Sequence, residues 1–392
     1  MNILYIPGSY YLSNKIFLSI AKAAKKHINI YFDTKDPGFS GTNTINPDGS
    51  MIDYHFDYHY VLHNPITIRG IKDLKVMFAF QIFKQRLYTQ LEKFKPDIII
   101  VSTDMGGNIN RMINNWAEKN NIPFIVIQTA FLGSAKYNTK DAMRNKLGYL
   151  LFNKILDIPL FRRQEMYGCE KKSNYLFLWG TDFKKMYKGT CIEKNIRLVG
   201  NPVFDNIQQR INTIIFDKKI ALLCPSMFSG VISKSNEIKI RKMYQDVIKQ
   251  NPNVHFIVKV HPRETMEQYD ELLKNCGDNF WITKNADLYD LLSIADVQIS
   301  LASYTSFEAL VAGVPVILLG THMLQFPFDQ FNHKAAFKVN SIEEFNWALT
   351  RCLNKKYIRQ FRKLRVNYLS TKLKYLGSSA EHIIDELEMI VE

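Results

Sequence analysis

The sequence predicts an α/β protein of two successive domains, each built on a mostly parallel sheet. Short, nearly continuous apolar runs such as "NILYIP" and "DIIIVSTD" alternate with longer segments whose apolar residues recur at helical spacing. That alternation is the pattern of buried strands joined by crossover helices. The pattern starts afresh at "KKIALLCPSMFSG", and 392 residues provide material for a second hydrophobic core, since single cores usually stop growing before this length. Composition agrees: 46% apolar and 22% charged residues describe a globular chain, neither disordered nor membrane-spanning.

The elements follow in order. "NILYIP" reads as a strand closed by Pro7 and Gly8, "SNKIFLSIAKAAKK" as a helix and "INIYFDT" as a second strand. The turn formers from Lys35 to Pro65 indicate a long loop with a hairpin at "NPDGS". An amphipathic helix is expected over residues 71–94, then a strand after Pro96, the helix "NINRMINNWAEKN" and the strand "IPFIVIQTAF". A basic amphipathic helix over 141–163 and the strand "YLFLWG" lead to "IRLVGNPVFD", where glycine and proline end the first domain. The second domain reads as strand, helix 236–250, strand "HFIVKV", helix 265–275, "FWIT", helix "LYDLLSIA", strand "DVQISLA", helix "SFEALVAG" and strand "VPVILLG". Helices rich in Lys and Arg come next. The last helix, "SSAEHIIDELEMIVE", offers Ser378 or Ser379 as cap and Glu381 in the first turn, where a carboxylate suits the helix dipole. The expected boundaries are 1–200, 201–372 and a terminal helix 373–392 available to pack back on the first domain.

A net charge of +14 suits nucleic acid, an anionic leaflet or a phosphorylated substrate. Without zinc-finger spacing or an RNA-binding aromatic signature, nucleic acid is not expected. The apolar runs are too short to cross a bilayer and no secretory leader is visible, so a cytoplasmic protein is expected. Cys169, Cys191, Cys224, Cys276 and Cys352 show no paired short spacing and read as reduced thiols. His55, His59 and His63 recur every four residues, which gathers side chains only on a helix. The intervening Tyr, Phe and Asp and the following Asn-Pro argue against one, and no metal is expected.

Open parallel sheets bind ligands outside the carboxyl ends of their strands. His261 stands at such an end, and Pro262 fixes the chain's exit. An imidazole there can donate to a phosphate or leaving-group oxygen; a histidine bonded to a backbone carbonyl fits equally well. In "SLASYTSFEALVAGVPVILLG", Ser303, Thr305 and Ser306 place hydroxyls and free N–H groups at a helix start, suited to phosphate or to ordinary capping. Glu308 can form a capping box or accept bonds from ribose hydroxyls or a base amino group. Ser226, Ser229 and Gly230 in "CPSMFSG" permit close backbone approach at a third strand end. No G-K-S/T loop and no G-x-G-x-x-G are present, which disfavours an ATPase or a dinucleotide oxidoreductase. In the first domain, Asp104 follows a strand beside two glycines and could take a proton from a hydroxyl, or cap a turn. Gln128, Thr129, Ser9, Tyr10 and Tyr11 could line an acceptor cleft.

With these residues assembled, the chain resembles nucleotide-sugar glycosyltransferases of the GT-B fold. More narrowly, "KVHPRE" with "SYTSFEALVAGVPVILLG" resembles the His-Pro and Ser/Thr motifs of bacterial sialyltransferases and capsular-polysaccharide Kdo transferases. The resemblance implies two Rossmann-like domains facing an interdomain cleft. It implies a donor-phosphate contact at His261 that helps the nucleotide leave, and phosphate-holding hydroxyls at Ser303, Thr305 and Ser306. Asp104 matches the family's acidic pair followed by glycine, although "DMG" carries Met105 within it. "VGNPVFD" is similar to the interdomain region of UDP-N-acetylglucosamine 2-epimerases and glycerol-phosphate polymer transferases. The expected activity is inverting transfer of a sugar to a glycan or lipid-linked acceptor in surface-polysaccharide synthesis. The donor would be a CMP-linked acidic sugar or a UDP-sugar, with no tightly bound cofactor, and segments 71–94 and 141–163 could touch the inner membrane. The alternatives are a non-hydrolysing UDP-sugar 2-epimerase, a polyol-phosphate transferase and, outside enzymes, an anionic-polymer-binding protein.

Overall fold

The structure is a computed structural model; it describes residues 1–6, 11–35, 56–63, 74–104, 108–132, 150, 153–154, 166–207, 217–225, 233–261, 264–270, 274, 276–301, 303–319, 329 and 332–392. The chain divides into two compact units, Met1–Asp205 with Lys372–Glu392, and Asn206–Thr371.

The first unit holds a seven-stranded sheet in the order β3-β2-β1-β4-β5-β6-β7. Its strands are β1 (Asn2–Ile6), β2 (Ile28–Lys35), β3 (Tyr58–His63), β4 (Ile98–Val101), β5 (Phe124–Ile127), β6 (Tyr175–Leu178) and β7 (Ile196–Leu198). The described helices of this unit are α1 (Tyr11–Ala23), α2 (Leu74–Phe94), α3 (Asn108–Lys119) and α4 (Thr181–Lys185), with α10 (Ser379–Val391) added from the far end of the chain. Every residue of β4 and β5 is buried, as expected of strands covered on both faces. Helix α3 meets the core with Ile109, Met112, Ile113, Trp116 and Ala117, the spacing of one helical face.

The second unit holds a six-stranded sheet in the order β10-β9-β8-β11-β12-β13. Its strands are β8 (Lys219–Cys224), β9 (Val254–Lys259), β10 (Phe280–Thr283), β11 (Val297–Ser300), β12 (Val316–Leu319) and β13 (Ala336–Val339). The described helices are α5 (Lys234–Gln250), α6 (Leu288–Ile294), α7 (Tyr304–Ala312), α8 (Ile342–Cys352) and α9 (Lys355–Lys372). All strand pairings among the described residues are parallel. Each sheet reverses strand order once, between β1 and β4 and between β8 and β11, the arrangement of a Rossmann-like unit. Helix α7 ends on Gly313 at φ 84°, a left-handed cap that glycine adopts without steric cost.

Three expectations change. The segment read as a long loop contains β3, which joins the sheet edge by pairing with β2, and the expected hairpin at "NPDGS" lies outside the described residues. His59 and His63 therefore share a strand, where a four-residue step spans about 13 Å rather than one helical turn. The helix expected over 265–275 opens as a 3-10 turn, Met266–Tyr269, closed by a bond from Thr265 N to the Gln268 side chain at 3.0 Å. Segment 141–163 falls almost wholly outside the described residues, and no described helix is long and apolar enough to cross a membrane.

The third change concerns α10. Ser378 makes no side-chain cap bond; Asp205 supplies the cap from a distance in sequence. Its Oδ1 accepts from Gly377 N at 3.1 Å and Ser379 N at 3.0 Å, and its Oδ2 accepts from Ala380 N at 2.8 Å. Beside this clamp Gly200 sits at φ 77°, where a Cβ would lie 2.1 Å from the Lys374 carbonyl. Asp205→Ala removes an acceptor from three N–H groups and should cost about 2–3 kcal/mol. A urea titration would read this as a lower midpoint with an unchanged slope.

Candidate functional site

In the second unit the candidate residues gather where β8, β9 and β11 end. Ser303 is the N-cap of α7, and its Oγ accepts from Thr305 N at 3.4 Å and from the Thr305 hydroxyl at 3.1 Å. Ser306 is fully buried and donates its hydroxyl to the Ser303 carbonyl at 2.6 Å. Capping is thus present, as the sequence allowed. Ser303 and Thr305 stay half-buried, at a helix start with no acidic residue in its first turn. Such an end favours an anion through its N–H groups and dipole.

Glu308, one turn further, is buried at 5% exposure and accepts a bond from the Tyr289 hydroxyl at 2.7 Å. Tyr289 comes from the first turn of α6, and burial, with Glu308 beside it, pushes its phenol well above the usual range. This partnership makes Glu308 a held carboxylate, not a local capping-box residue.

Cys224 ends β8 between these groups. Burial pushes its thiol up to about 12, the Glu308 charge adds to that, and Gln298, Lys259 and Thr305 oppose it. A thiol so buried is a poor nucleophile at neutral pH. Lys259, at the end of β9, opens the "KVHPRE" stretch and is a cation to which the sequence pattern assigns no role. Burial holds its ammonium below the ordinary lysine value and the Lys284 charge adds to that, while its Nζ donates to the Lys284 carbonyl.

His261 follows directly. The β9–β10 ladder extends to Val260, whose N–H reaches the Thr283 carbonyl at 2.9 Å, so His261 emerges half-buried just past the sheet. Its carbonyl accepts from Glu264 N at 2.9 Å. Glu264 is buried and accepts from the Tyr269 hydroxyl at 2.5 Å, which ties it to the 3-10 turn that follows. Two strand spacings separate β9 from β11, about 10 Å, a span suited to a ligand larger than a single phosphate. Pro262, Ser226, Ser229 and Gly230 lie outside the described residues.

In the first unit Asp104 stands beyond β4, at the point where strand order reverses, and is fully buried. Its Oδ1 accepts from Gly168 N at 2.8 Å and its Oδ2 from Glu170 N at 2.9 Å. Burial raises its pKa, while the N–H groups of Glu170 and Gly168 and the Arg111 charge pull the other way. Both oxygens therefore hold the 168–170 turn. Tyr167 braces the same turn: its hydroxyl, with one proton to donate, lies between the Ser102 carbonyl at 2.6 Å and the Ile127 carbonyl.

Gln128 is also fully buried. Its Oε1 accepts from Trp179 N at 3.0 Å, its amide donates to the Ala130 carbonyl at 3.1 Å, and its own carbonyl accepts from Trp179 Nε1 at 2.7 Å. It joins the exits of β5 and β6, and Thr129 beside it is buried at 9% exposure. Tyr11 opens α1; Ser9 and Tyr10 lie outside the described residues. Tyr167 and Tyr289 left no trace in the sequence reading, because neither sits at a motif spacing and each acts on a partner distant along the chain.

No protein-family model and no curated protein matches the chain. Solved structures do match in fold along nearly its whole length. UDP-GlcNAc 2-epimerase from Neisseria meningitidis bound to UDP-GlcNAc is similar at a TM-score of 0.61 and 16% identity, covering 99% of each chain. The UDP-GlcNAc 2-epimerase of Methanocaldococcus jannaschii is similar at 0.57 and 19%, covering 99% of each chain. The glycotransferase of kitacinnamycin is similar at 0.61 and 14%, covering 98% of each chain. Two parallel Rossmann-like units, with these likenesses, give the chain the GT-B fold.

Proposed function

We propose that the chain is a nucleotide-sugar enzyme and, within that class, one that alters a UDP-sugar without an acceptor, as a non-hydrolysing 2-epimerase does. The observation that carries this reading is the full-length likeness in fold to UDP-GlcNAc 2-epimerases, one of them with UDP-GlcNAc bound. The second unit's chemistry supports it. The start of α7, with Ser303 and Thr305, takes phosphate oxygens, and Ser306 fixes the loop beneath them. Glu308, held by Tyr289, accepts from ribose hydroxyls. His261 donates to the phosphate oxygen that leaves C1 as the C2 proton is taken by a base, and that re-forms the C1–O bond when a proton returns to the other face of C2, stabilising the charge that develops on that oxygen.

Asp104 we assign to positioning, because both of its oxygens already hold backbone N–H groups. A substrate hydroxyl would have to displace one of them before the carboxylate could act as a base.

Sugar transfer from a CMP- or UDP-linked donor to a glycan or lipid-linked acceptor is the second reading. It draws on the likeness to the kitacinnamycin glycotransferase and on the His-Pro and Ser/Thr stretches. A panel of UDP-sugars and CMP-linked acidic sugars, incubated with and without acceptors, separates the two. A new sugar epimer from the UDP-sugar alone, read by NMR, is the expected result. Acceptor-dependent nucleotide release with a matching gain in acceptor mass would establish transfer instead. Consumption of none of the panel would overturn both.

A further inference from the structure

Helix α9 carries a charge pattern that the proposed activity does not use. Between Lys355 and Lys372 the sequence contains no acidic residue. Its buried side is apolar and aromatic, with Tyr357, Phe361, Tyr368 and Leu369 in the core. Its outer side exposes Lys355, Lys356, Arg359, Arg362 and Lys363. At 3.6 residues per turn these five cations fall within an arc of about 120° and a length of about 12 Å. None of the five takes part in an ion pair among the described residues.

One apolar group lies on the stripe, and an exposed tryptophan of α8 stands near the helix start. Val366 lies on the same arc and is 59% exposed. At the start of the helix, Trp347 is 54% exposed and shares the Phe337 ring with Tyr357, at centroid distances of 5.2 and 5.0 Å. Arg351 lies over the Trp347 ring at 5.3 Å. A cationic helix face with an exposed tryptophan near its start is the chemistry of a bilayer interface, where the indole sits at headgroup depth; on α8 itself, Glu343 and Glu344 are exposed one turn before Trp347. Helix α2 differs: among its described side chains the exposed charges, Arg86, Glu92 and Lys93, are of both signs.

We propose that the outer face of α9, with Trp347 at its head, docks on an anionic phospholipid surface. The cations meet the headgroup phosphates, and Trp347 and Val366 enter the interfacial layer. Charge complementarity selects the partner, and the exposed indole and valine favour a bilayer over duplex nucleic acid, whose backbone offers them nothing apolar.

The test is sedimentation of the full chain with phosphatidylcholine vesicles, with and without phosphatidylglycerol, at low and high salt. The expected result is binding only to phosphatidylglycerol vesicles, weakened by salt, with a blue-shifted fluorescence that Trp347→Phe loses. The combined variant Lys355→Glu, Arg359→Glu, Arg362→Glu and Lys363→Glu should lower partitioning about 100-fold or more. A variant with glutamine at the same four positions, shown to be folded by its thermal transition, replaces the charge-reversed chain in this experiment should that chain not fold. Unchanged vesicle binding by the folded variant overturns the proposal, as does equal binding to uncharged vesicles or none to either. Retention on duplex DNA when anionic vesicles compete would also overturn it, in favour of a nucleic-acid surface.

Discussion

Asp104→Ala will lower the stability of the first unit by about 4 kcal/mol, since it strips the acceptors from two buried N–H groups at about 1–3 kcal/mol each and opens a small cavity. The groups concerned are Gly168 N and Glu170 N, on a turn 64 and 66 residues away in sequence. Chemical denaturation followed by tryptophan fluorescence would check this, because Trp116 and Trp179 are both buried in this unit. The pH dependence has a definite sign. Burial raises the Asp104 carboxyl above its ordinary value of 3.8, so the native state holds the proton more tightly than the unfolded chain. A group of this kind contributes most below its unfolded pKa and loses that contribution as pH rises through its native pKa. Asp104→Asn should therefore cost most at acid pH, and the gap to the unaltered protein should narrow as pH climbs above about 4. A gap that widens over that range would mean the carboxylate is favoured in its ionised form.

His261→Ala has the opposite profile. The imidazole is half-buried at a strand exit, so its loss should lower the unfolding midpoint much less than Asp104→Ala does. If His261 stabilises the departing phosphate, turnover should fall by about 100-fold or more, the effect of removing one preformed donor, near 3 kcal/mol. Turnover carries the prediction, since a donor that acts mainly on developing charge leaves KM much less affected. Near-normal turnover would remove His261 from the chemistry under either reading of the function. Together the two substitutions separate a residue that holds the scaffold from one that acts on substrate.

Much of the fold was legible because buried parallel strands and amphipathic helices write their period into the local sequence. The "IIIV" of β4 and the Ile, Met and Trp stripe of α3 are examples. Strand β3 was not legible: "YHYVLH" forms a sheet edge, carries histidines where a covered strand carries aliphatic residues, and sits among prolines and glycines. At the candidate site, position was legible and partnership was not. The strand exits that bear His261, Ser303 and Asp104 follow from α/β grammar. The clasp of Asp104 on the 168–170 turn and the bond from Tyr289 to Glu308 join residues distant along the chain. No local spacing reports such bonds. The same applies to Asp205, which caps α10 where local sequence offers only Ser378 and Ser379.

That last clamp also orders the making of the protein. The Asp205 carboxylate waits for N–H groups that the ribosome adds only after the whole second unit has been synthesised. During translation, when domains generally fold as they appear, the earlier unit must persist without α10, leaving uncovered the surface of α1 on which that helix comes to rest. Helix α10 is thus a closing piece for a unit made well before it, and a nascent chain stalled near Thr371 would display an uncovered seam on that earlier unit.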